Sequence, residues 1–552
     1  MSDPVRPSGP TRHPFIHALL LVLPVAFVIV AHIVRTHGGP FWMWHVLDPS
    51  YYYLFDALNL VNLTTPGQPF HPGTPVQMLG ALVLKAVYTL QSAQAIADMA
   101  LADPERHLGI ISSTFIALTA LLSLALGVFV YRRLDGIWSA LLFQLAPFLS
   151  MVTLKNAYHV KPEPILAALM LVVSMVVIAC LRPGFLDRNR TRLAVGFGIL
   201  AGFGVATKLT VAPIFVLPLF LLGNLRTVMT YAAASAIAFL LFTAPIWGAY
   251  DRLWGFAGQV MANSGAYAAA DAAFIDFSTY PRAVLKILSR PVLHVPIIGA
   301  VIALLVDRLR QNRTGVNFST EARALAGVAL AVALQVLAVA KQPTANYMVP
   351  AYMLAPLALV LIRRLVIGWD IGSAGFRRGT SGAFAAFVCA LAILQVFSVM
   401  RLNRELAEMV RVAQAVDDAK FAKCARLYVF PPSSHSFAMY RGDWEAGLRH
   451  TKMLSRLLPD NDYWFEQNSA DLRNAQGSLE LTQVLSSYPC LFIRGAHRGP
   501  ILNFMRAQAP DLQLVLSCST RDEAVFLAKV DCDGTVQEES LSLQQWLKVG
   551  HR

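Results

Sequence analysis

Apolar and polar positions fall into two regimes along this chain. Up to about residue 400, long apolar runs are separated by short polar connections. Phe15 to Val34 is the first run, and its 20 residues suffice to cross a hydrocarbon core of about 30 Å. Similar runs predict spans near Leu108–Tyr131, Gly136–Leu154, Pro164–Leu181, Leu193–Thr207, Leu209–Leu222, Val228–Trp247, Pro291–Val306, Ala322–Ala340, Tyr347–Ile362 and Ser381–Met400. Val76–Leu90 is apolar but short and carries Lys85, so it predicts an interfacial helix; if it crosses, every later loop changes sides. His32-Ile33-Val34-Arg35-Thr36-His37 offers no small-residue cleavage site, so the first run reads as an uncleaved helix. The expected fold is a mainly α, polytopic membrane bundle of 11 to 13 spans over residues 1–400, with outward loops at 35–107 and 248–290.

From Arg401 to Arg552 the pattern turns polar and predicts a soluble domain of ordinary size. Strand-like runs at Arg426–Phe430, Cys490–Arg494, Leu512–Ser517 and Ala524–Val530 alternate with helical stretches such as Glu445–Leu458, an α/β pattern. Four of the six cysteines (Cys424, Cys490, Cys518, Cys532) lie here, which fits disulfides in an oxidising compartment, in any of three pairings, or free buried thiols.

Composition agrees with a membrane chain: 56% hydrophobic residues, 14% charged, mean hydropathy +0.52. The net charge of +13 does not point to nucleic acid, because the arginines sit in short clusters between apolar runs. With the amino terminus in the cytoplasm, the inward loops carry Arg132-Arg133, then Arg182, Arg188, Arg190 and Arg192, then Arg226, then Arg308, Arg310, Arg313 and Arg323, then Arg363, Arg364, Arg377 and Arg378. That is the positive-inside pattern, and an odd number of crossings puts the polar domain outside. All six lysines before residue 401 then face outward: Lys85, Lys155, Lys161, Lys208, Lys286 and Lys341. Outward ammonium groups suit a phosphate-bearing ligand at the outer leaflet.

The first outward loop holds the candidate chemistry. Asp48-Pro49 reads as a helix start, with Asp as N-cap and Pro at the first helical position. Tyr52, Asp56 and Asn59 then share one helix face while Tyr51, Leu54, Phe55, Leu58 and Val61 make the other apolar, which predicts a helix lying flat on the membrane. His71-Pro72-Gly73-Thr74-Pro75 forces a turn.

Five pieces, in this order and on one side, resemble the GT-C superfamily of membrane glycosyltransferases, which includes protein O-mannosyltransferases and aminoarabinose transferases. They are Asp48-Pro49-Ser50-Tyr51 after the first helix; His71 to Pro75; Lys155-Asn156-Ala157-Tyr158-His159-Val160-Lys161-Pro162-Glu163-Pro164; Ala206-Thr207-Lys208-Leu209-Thr210; and Lys341-Gln342-Pro343-Thr344-Ala345-Asn346-Tyr347-Met348-Val349-Pro350. Pro432 to Asp443 also looks like the periplasmic tail of some bacterial members. The resemblance covers about residues 10–400. It implies a transferase of the bacterial inner membrane that passes a hexosyl or pentosyl group from a polyprenyl-phosphate donor to a hydroxyl of a glycan, lipid or protein, on the periplasmic side. Asp48 matches the family's catalytic base. Many relatives have a second acid directly after it, where this chain has Pro49, so Asp56 is expected to share the task. Glu163 matches the acid of the second outward loop, which orients the acceptor or a metal; the bland reading is a helix N-terminal acid favoured by the dipole.

Physics asks for a carboxylate raised toward neutrality in a water-poor pocket and for fixed cations on the departing lipid phosphate. His71, Lys208, Lys341, Arg282 and Lys286 are the candidate phosphate ligands, and Tyr52, His159 and Tyr347 the candidate substrate-binding side chains. For each lysine, a cation snorkelling to the interface is the plain alternative. Gly248–Arg290, rich in Ala, Gly and aromatics, reads as a lid, with Arg282, Lys286 and Arg290 as a basic helical stripe that binds the donor or anionic lipid in general. No tightly bound cofactor and no metal site are expected. Asp460-Asn461-Asp462 and Asp531-Cys532-Asp533 imitate a nucleotide-sugar signature but lie in the external domain.

A phosphate loop, a Cys-x-x-Cys pair and a His-Glu-x-x-His motif are absent from the sequence, which excludes an ATP-driven pump. The competing classes are a secondary transporter or lipid-glycan flippase, and an O-antigen ligase or polymerase. A transporter places its ionisable groups at the bilayer midplane in two related halves. Here they cluster at one surface and no half-to-half repeat is evident.

Overall fold

A computed structural model of the chain describes residues 14–43, 50–70, 72–134, 136–263, 273–314, 319–369, 374–413, 421–429, 433–466, 471–495, 503–505, 507–508, 516–519 and 523–526. Asp48, His71 and Cys532 lie outside the described residues. The chain folds as two compact units. One comprises Met1–Ile33, Pro69–Val76 and Ser112–Met400; the other comprises Val34–Gln68, Gln77–Ile111 and Arg401–Arg552.

Among the described residues eight helices are long and apolar enough to cross a membrane. They are Ala18–His37, Pro104–Leu134, Pro162–Cys180, Leu225–Phe242, Pro291–Asn312, Thr320–Ala340, Ala345–Gly368 and Gly379–Arg411. The runs predicted at Gly136–Leu154, Leu193–Thr207 and Leu209–Leu222 fall outside that set, and two are broken for a clear reason. Pro147 has no N–H to continue the helix Ile137–Gln144; a 3-10 turn Ala146–Phe148 follows, and Ser150 caps a new helix Met151–Asn156 by accepting from the Val152 N–H. Pro213 likewise holds Leu209–Val216 in a 3-10 form before the short helix Leu217–Leu222. Leu193–Thr207 forms the second half of a longer helix, Phe185–Thr207, that starts inside an Arg-rich connection. The predicted interfacial segment forms the 14-residue helix Thr74–Val87.

In the first unit the arginine-bearing connections gather at one end. A Cβ on Gly223 would sit 3.5 Å from Arg190 and 3.9 Å from Arg323, groups near the starts of two different helices. At the other end the lysine-bearing connections meet, through contacts described below.

In the second unit the helix Ser50–Val61 is enclosed, with every residue except Leu60 buried. This corrects the expectation of a helix flat on the membrane. The helix His435–Glu445 packs on its apolar face, and Gly442 makes the contact possible, since a Cβ there would lie 2.6 Å from the Phe55 ring. The sheet of this unit has seven strands: β1 (Ala425–Val429), β2 (Asp462–Glu466), β3 (Asp471–Asn474), β4 (Gly477–Leu479), β5 (Leu491–Arg494), β6 (Leu516–Ser519) and β7 (Glu523–Phe526), in the order β4-β3-β2-β1-β5-β7-β6. β1 is parallel to β2 and β5, and the outer pairs are antiparallel. Alternate residues Leu427, Val429, Tyr463, Phe465, Leu491 and Ile493 turn into one core. Ala425 pairs with Leu491, so the residues just before them face each other, and Cys424 and Cys490 form a disulfide. Of the stretch expected to be helical from Glu445 to Leu458, Glu445 ends one helix and Thr451–Leu457 forms another, because Gly447 and Leu448 between them take positive φ.

Candidate active site

At the lysine-bearing end of the first unit, two helix ends meet. Lys161 precedes Pro162, which forces it into extended backbone, and the helix Pro162–Cys180 begins with Glu163 in its first turn. Lys208 closes the helix Phe185–Thr207, its N–H donating to the Gly204 carbonyl. A carboxylate at a helix N-terminus and an ammonium at a C-terminus each sit where the backbone dipole favours them. They pair: Lys208 Nζ donates to Glu163 Oε1 at 2.8 Å, with side-chain exposures of only 2% and 1%. Lys208 Nζ also lies 4.3 Å from the centre of the Tyr347 ring.

Around this pair are further buried polar groups. Lys161 and His159 are buried, the His159 ring 4.1 Å from that of Tyr158. Asn156 Nδ2 donates to Asn346 Oδ1 at 3.0 Å, joining the second lysine-bearing loop to the Tyr347 turn, whose carbonyl accepts from Gln335 at 2.9 Å. The Gly73 N–H donates to the Ala206 carbonyl at 3.1 Å, bringing the Pro72-Gly73 turn to the residues just before Lys208. Phe70, beside it, packs against Phe256 at 5.2 Å and lies under the Arg252 guanidinium, both from the helix Tyr250–Ala262 in the predicted lid. Two buried ammonium groups, Lys208 in direct contact and Lys161 through its charge, thus act on one buried carboxylate. Buried ammonium groups in a water-poor place suit an anionic ligand.

The structure brings Glu163, Lys208 and Tyr347 into one cluster with His159 on the same loop. Lys341 is engaged elsewhere: its Nζ donates to the Met261 carbonyl at 2.7 Å and lies 4.4 Å from the Phe274 ring. Arg282 and Lys286 are exposed on the amphipathic helix Tyr280–Leu288, whose inner face buries Ala283 and Ile287. Arg290 lies beyond that helix, 5.8 Å from the Tyr352 ring, so the expected stripe of three is a stripe of two. Lys161 was not among the expected site residues. Its signal was available, a lysine directly before Pro-Glu-Pro at the mouth of an apolar run.

Asp56 and Tyr52 belong to the second unit. Asp56 is fully buried and accepts four hydrogen bonds: from Gly67 N at 2.6 Å, Gln68 N at 3.2 Å, Asn59 Nδ2 at 3.2 Å and Gln77 Nε2 at 3.0 Å. Burial pushes its carboxyl up to about 7, although those donors pull the other way. With both oxygens occupied, Asp56 holds the loop after its helix in place. Tyr52 accepts a long 3.4 Å bond from Arg441 Nε, and Arg441 also pairs with Glu445 at 2.7 Å and with Glu466. A further unforeseen residue is Glu105. It binds Arg35 Nη2 at 3.1 Å, the Phe41 N–H at 2.9 Å and the Tyr51 hydroxyl at 3.0 Å.

No protein-family model matches the chain, and no curated sequence does. Solved structures do. ArnT from Cupriavidus metallidurans bound to undecaprenyl phosphate is 14% identical, over 92% of this chain and 99% of that one, with a TM-score of 0.42. Its apo state is 15% identical over the same shares, with a TM-score of 0.45. The archaeal oligosaccharyltransferase AglB from Archaeoglobus fulgidus, in complex with an inhibitory peptide and a dolichol-phosphate, is 12% identical over 95% of this chain and 75% of that one, with a TM-score of 0.41.

Proposed function

We propose that this protein transfers a sugar from a polyprenyl-phosphate donor to an acceptor hydroxyl, with Lys208 and Lys161 holding the donor phosphate. The observation that carries this reading is the buried Glu163–Lys208 pair at 2.8 Å with a second buried ammonium, Lys161, whose charge also acts on Glu163. In the reaction the bond between the anomeric carbon and the phosphate oxygen breaks, and its electron pair stays on the phosphate. The acceptor oxygen bonds to the anomeric carbon and gives its proton to a base. Fixed ammonium groups favour the reaction because the phosphate becomes more negative as that bond breaks. Glu163 fixes the Lys208 Nζ in position. Asp48 is the base in this proposal, on the sequence resemblance alone. Asp56 is a positioning residue, and the exposed Arg282 and Lys286 draw the anionic donor toward the segment bearing them.

The arginine-bearing end of the first unit faces the cytoplasm in this reading, and the lysine-bearing end the periplasm. A disulfide in the polar domain suits that side. The test is incubation of purified protein with a panel of radiolabelled polyprenyl-phosphate sugars, scored for release of the carrier lipid. Release with at least one donor is the expected result. Movement of intact donor across a proteoliposome without bond cleavage identifies a flippase instead.

A further inference from the structure

The arginine-bearing end of the first unit contains a cavity of about 600 Å³. Its polar wall is made by Asp307, Arg310, Glu321, Arg363, Arg364 and Trp369, from the ends of three helices. The helix Thr320–Ala340 runs from Glu321 at this cavity to Lys341 at the opposite end, and its 21 residues span roughly 30 Å. The cavity is therefore separate from the Glu163–Lys208 cluster.

Three guanidinium groups here face two carboxylates, and both acids are already engaged. Glu321 Oε1 accepts from Arg364 at 2.8 Å, and Asp307 accepts from Trp369 Nε1 at 3.0 Å and from Gln311. Arg310 donates to the Trp369 carbonyl. Arg363 has no carboxylate partner among the described residues; it makes a 3.5 Å contact with the Ser381 hydroxyl and lies 4.8 Å from the Phe384 ring. One helix that lines the cavity also carries an exposed apolar stripe, Ile298, Ile302, Leu305 and Leu309, at spacings of four, three and four. The stripe faces away from Asp307, Arg310 and Gln311 on the same helix, as a bilayer-facing surface does.

We propose that this cavity binds the phosphate headgroup of an anionic membrane phospholipid, with Arg363 as its main ligand. A phosphate accepts paired N–H donors from guanidinium groups, and a basic pocket between helix ends is where such headgroups lodge. The proposal is independent of the transfer reaction at the opposite end.

The test uses full-length protein, delipidated in detergent and offered phosphatidylglycerol and phosphatidylcholine in equal amounts, with retained lipid counted by native mass spectrometry. Wild-type protein is expected to retain phosphatidylglycerol in preference. Arg363→Gln should weaken that retention by about fivefold, the effect of one headgroup-facing cation, while Arg363→Lys keeps most of it. Equal retention by Arg363→Gln, equal retention of phosphatidylcholine, or displacement of the lipid by free glycerol 3-phosphate would overturn the proposal. Arg363→Lys guards against a folding artefact, because a general loss of structure would not be repaired by restoring only the charge.

Discussion

Glu163→Gln removes one charge from a pair that has almost no access to water. At 2.8 Å, with an effective dielectric of about 20, the attraction within the pair is about 6 kcal/mol. Desolvation of the two groups offsets much of that in the intact protein, but the variant keeps the desolvated Lys208 and loses the carboxylate it donates to. The expected loss of stability is ~3–5 kcal/mol. The assay is thermal unfolding of the purified protein, with and without undecaprenyl phosphate. A ligand at about 100 times its Kd stabilises the wild type by about 2.7 kcal/mol. In Glu163→Gln the same lipid also supplies the missing negative charge, so its stabilising effect should be larger than in the wild type. The double variant Glu163→Gln/Lys208→Met removes both charges and should be more stable than the sum of the single losses predicts, by roughly 0.5–3 kcal/mol. A Glu163→Gln protein as stable as the wild type, or strictly additive single variants, would refute the reasoning. So would a lipid effect that is the same in wild type and Glu163→Gln.

Three further outcomes test the second unit. The Asp56 carboxyl is raised from 3.8 to about 7, so the folded state holds its proton more firmly than the unfolded state; its contribution to stability is full below about pH 4 and is lost as pH rises through 7. Unfolding midpoints across pH 4–8 should show that fall in the wild type and lack it in Asp56→Asn, and parallel profiles would contradict it. Gly67→Ala would put a Cβ 2.3 Å from the Ala446 backbone, so the loop must move; a loss of about 3 kcal/mol and faster proteolysis are expected, against an unchanged midpoint if the contact is loose. The Cys424–Cys490 disulfide closes a separation of 66 residues, and replacing both by Ala should destabilise the polar domain by about 4 kcal/mol in non-reducing urea unfolding. Unchanged unfolding would show that the bridge does not form.

Much of the fold was legible because membrane spans and sheet strands announce themselves locally. Pro162–Cys180 and Thr320–Ala340 lie within two residues of the predicted runs, since apolar length alone defines them. Runs holding Pro147 or Pro213 looked continuous by hydropathy, and what broke them was a missing N–H, which hydropathy does not weigh. The Tyr52–Asp56–Asn59 face was read correctly as a shared face: Asn59 does donate to Asp56 at 3.2 Å. What covers that helix was not legible. The covering helix begins at His435, far along the chain, and the permissive residue is Gly442. The same distance hides pairings between charges. Glu163 and Lys208 were both placed at outward helix ends, but their partnership across 45 residues depends on which ends become neighbours. Choosing Cys424–Cys490 from three possible pairings required the knowledge that β1 and β5 are adjacent.

The central claim is that Lys208 and Lys161 hold the phosphate of a polyprenyl donor. An experimental structure of the full chain with undecaprenyl phosphate tests it most directly, through the distance from phosphorus to the Lys208 and Lys161 Nζ atoms. A charge-assisted contact puts both at about 4 Å, with Glu163 still against Lys208. A phosphate seated away from both lysines, with the Glu163–Lys208 pair undisturbed, would contradict the account.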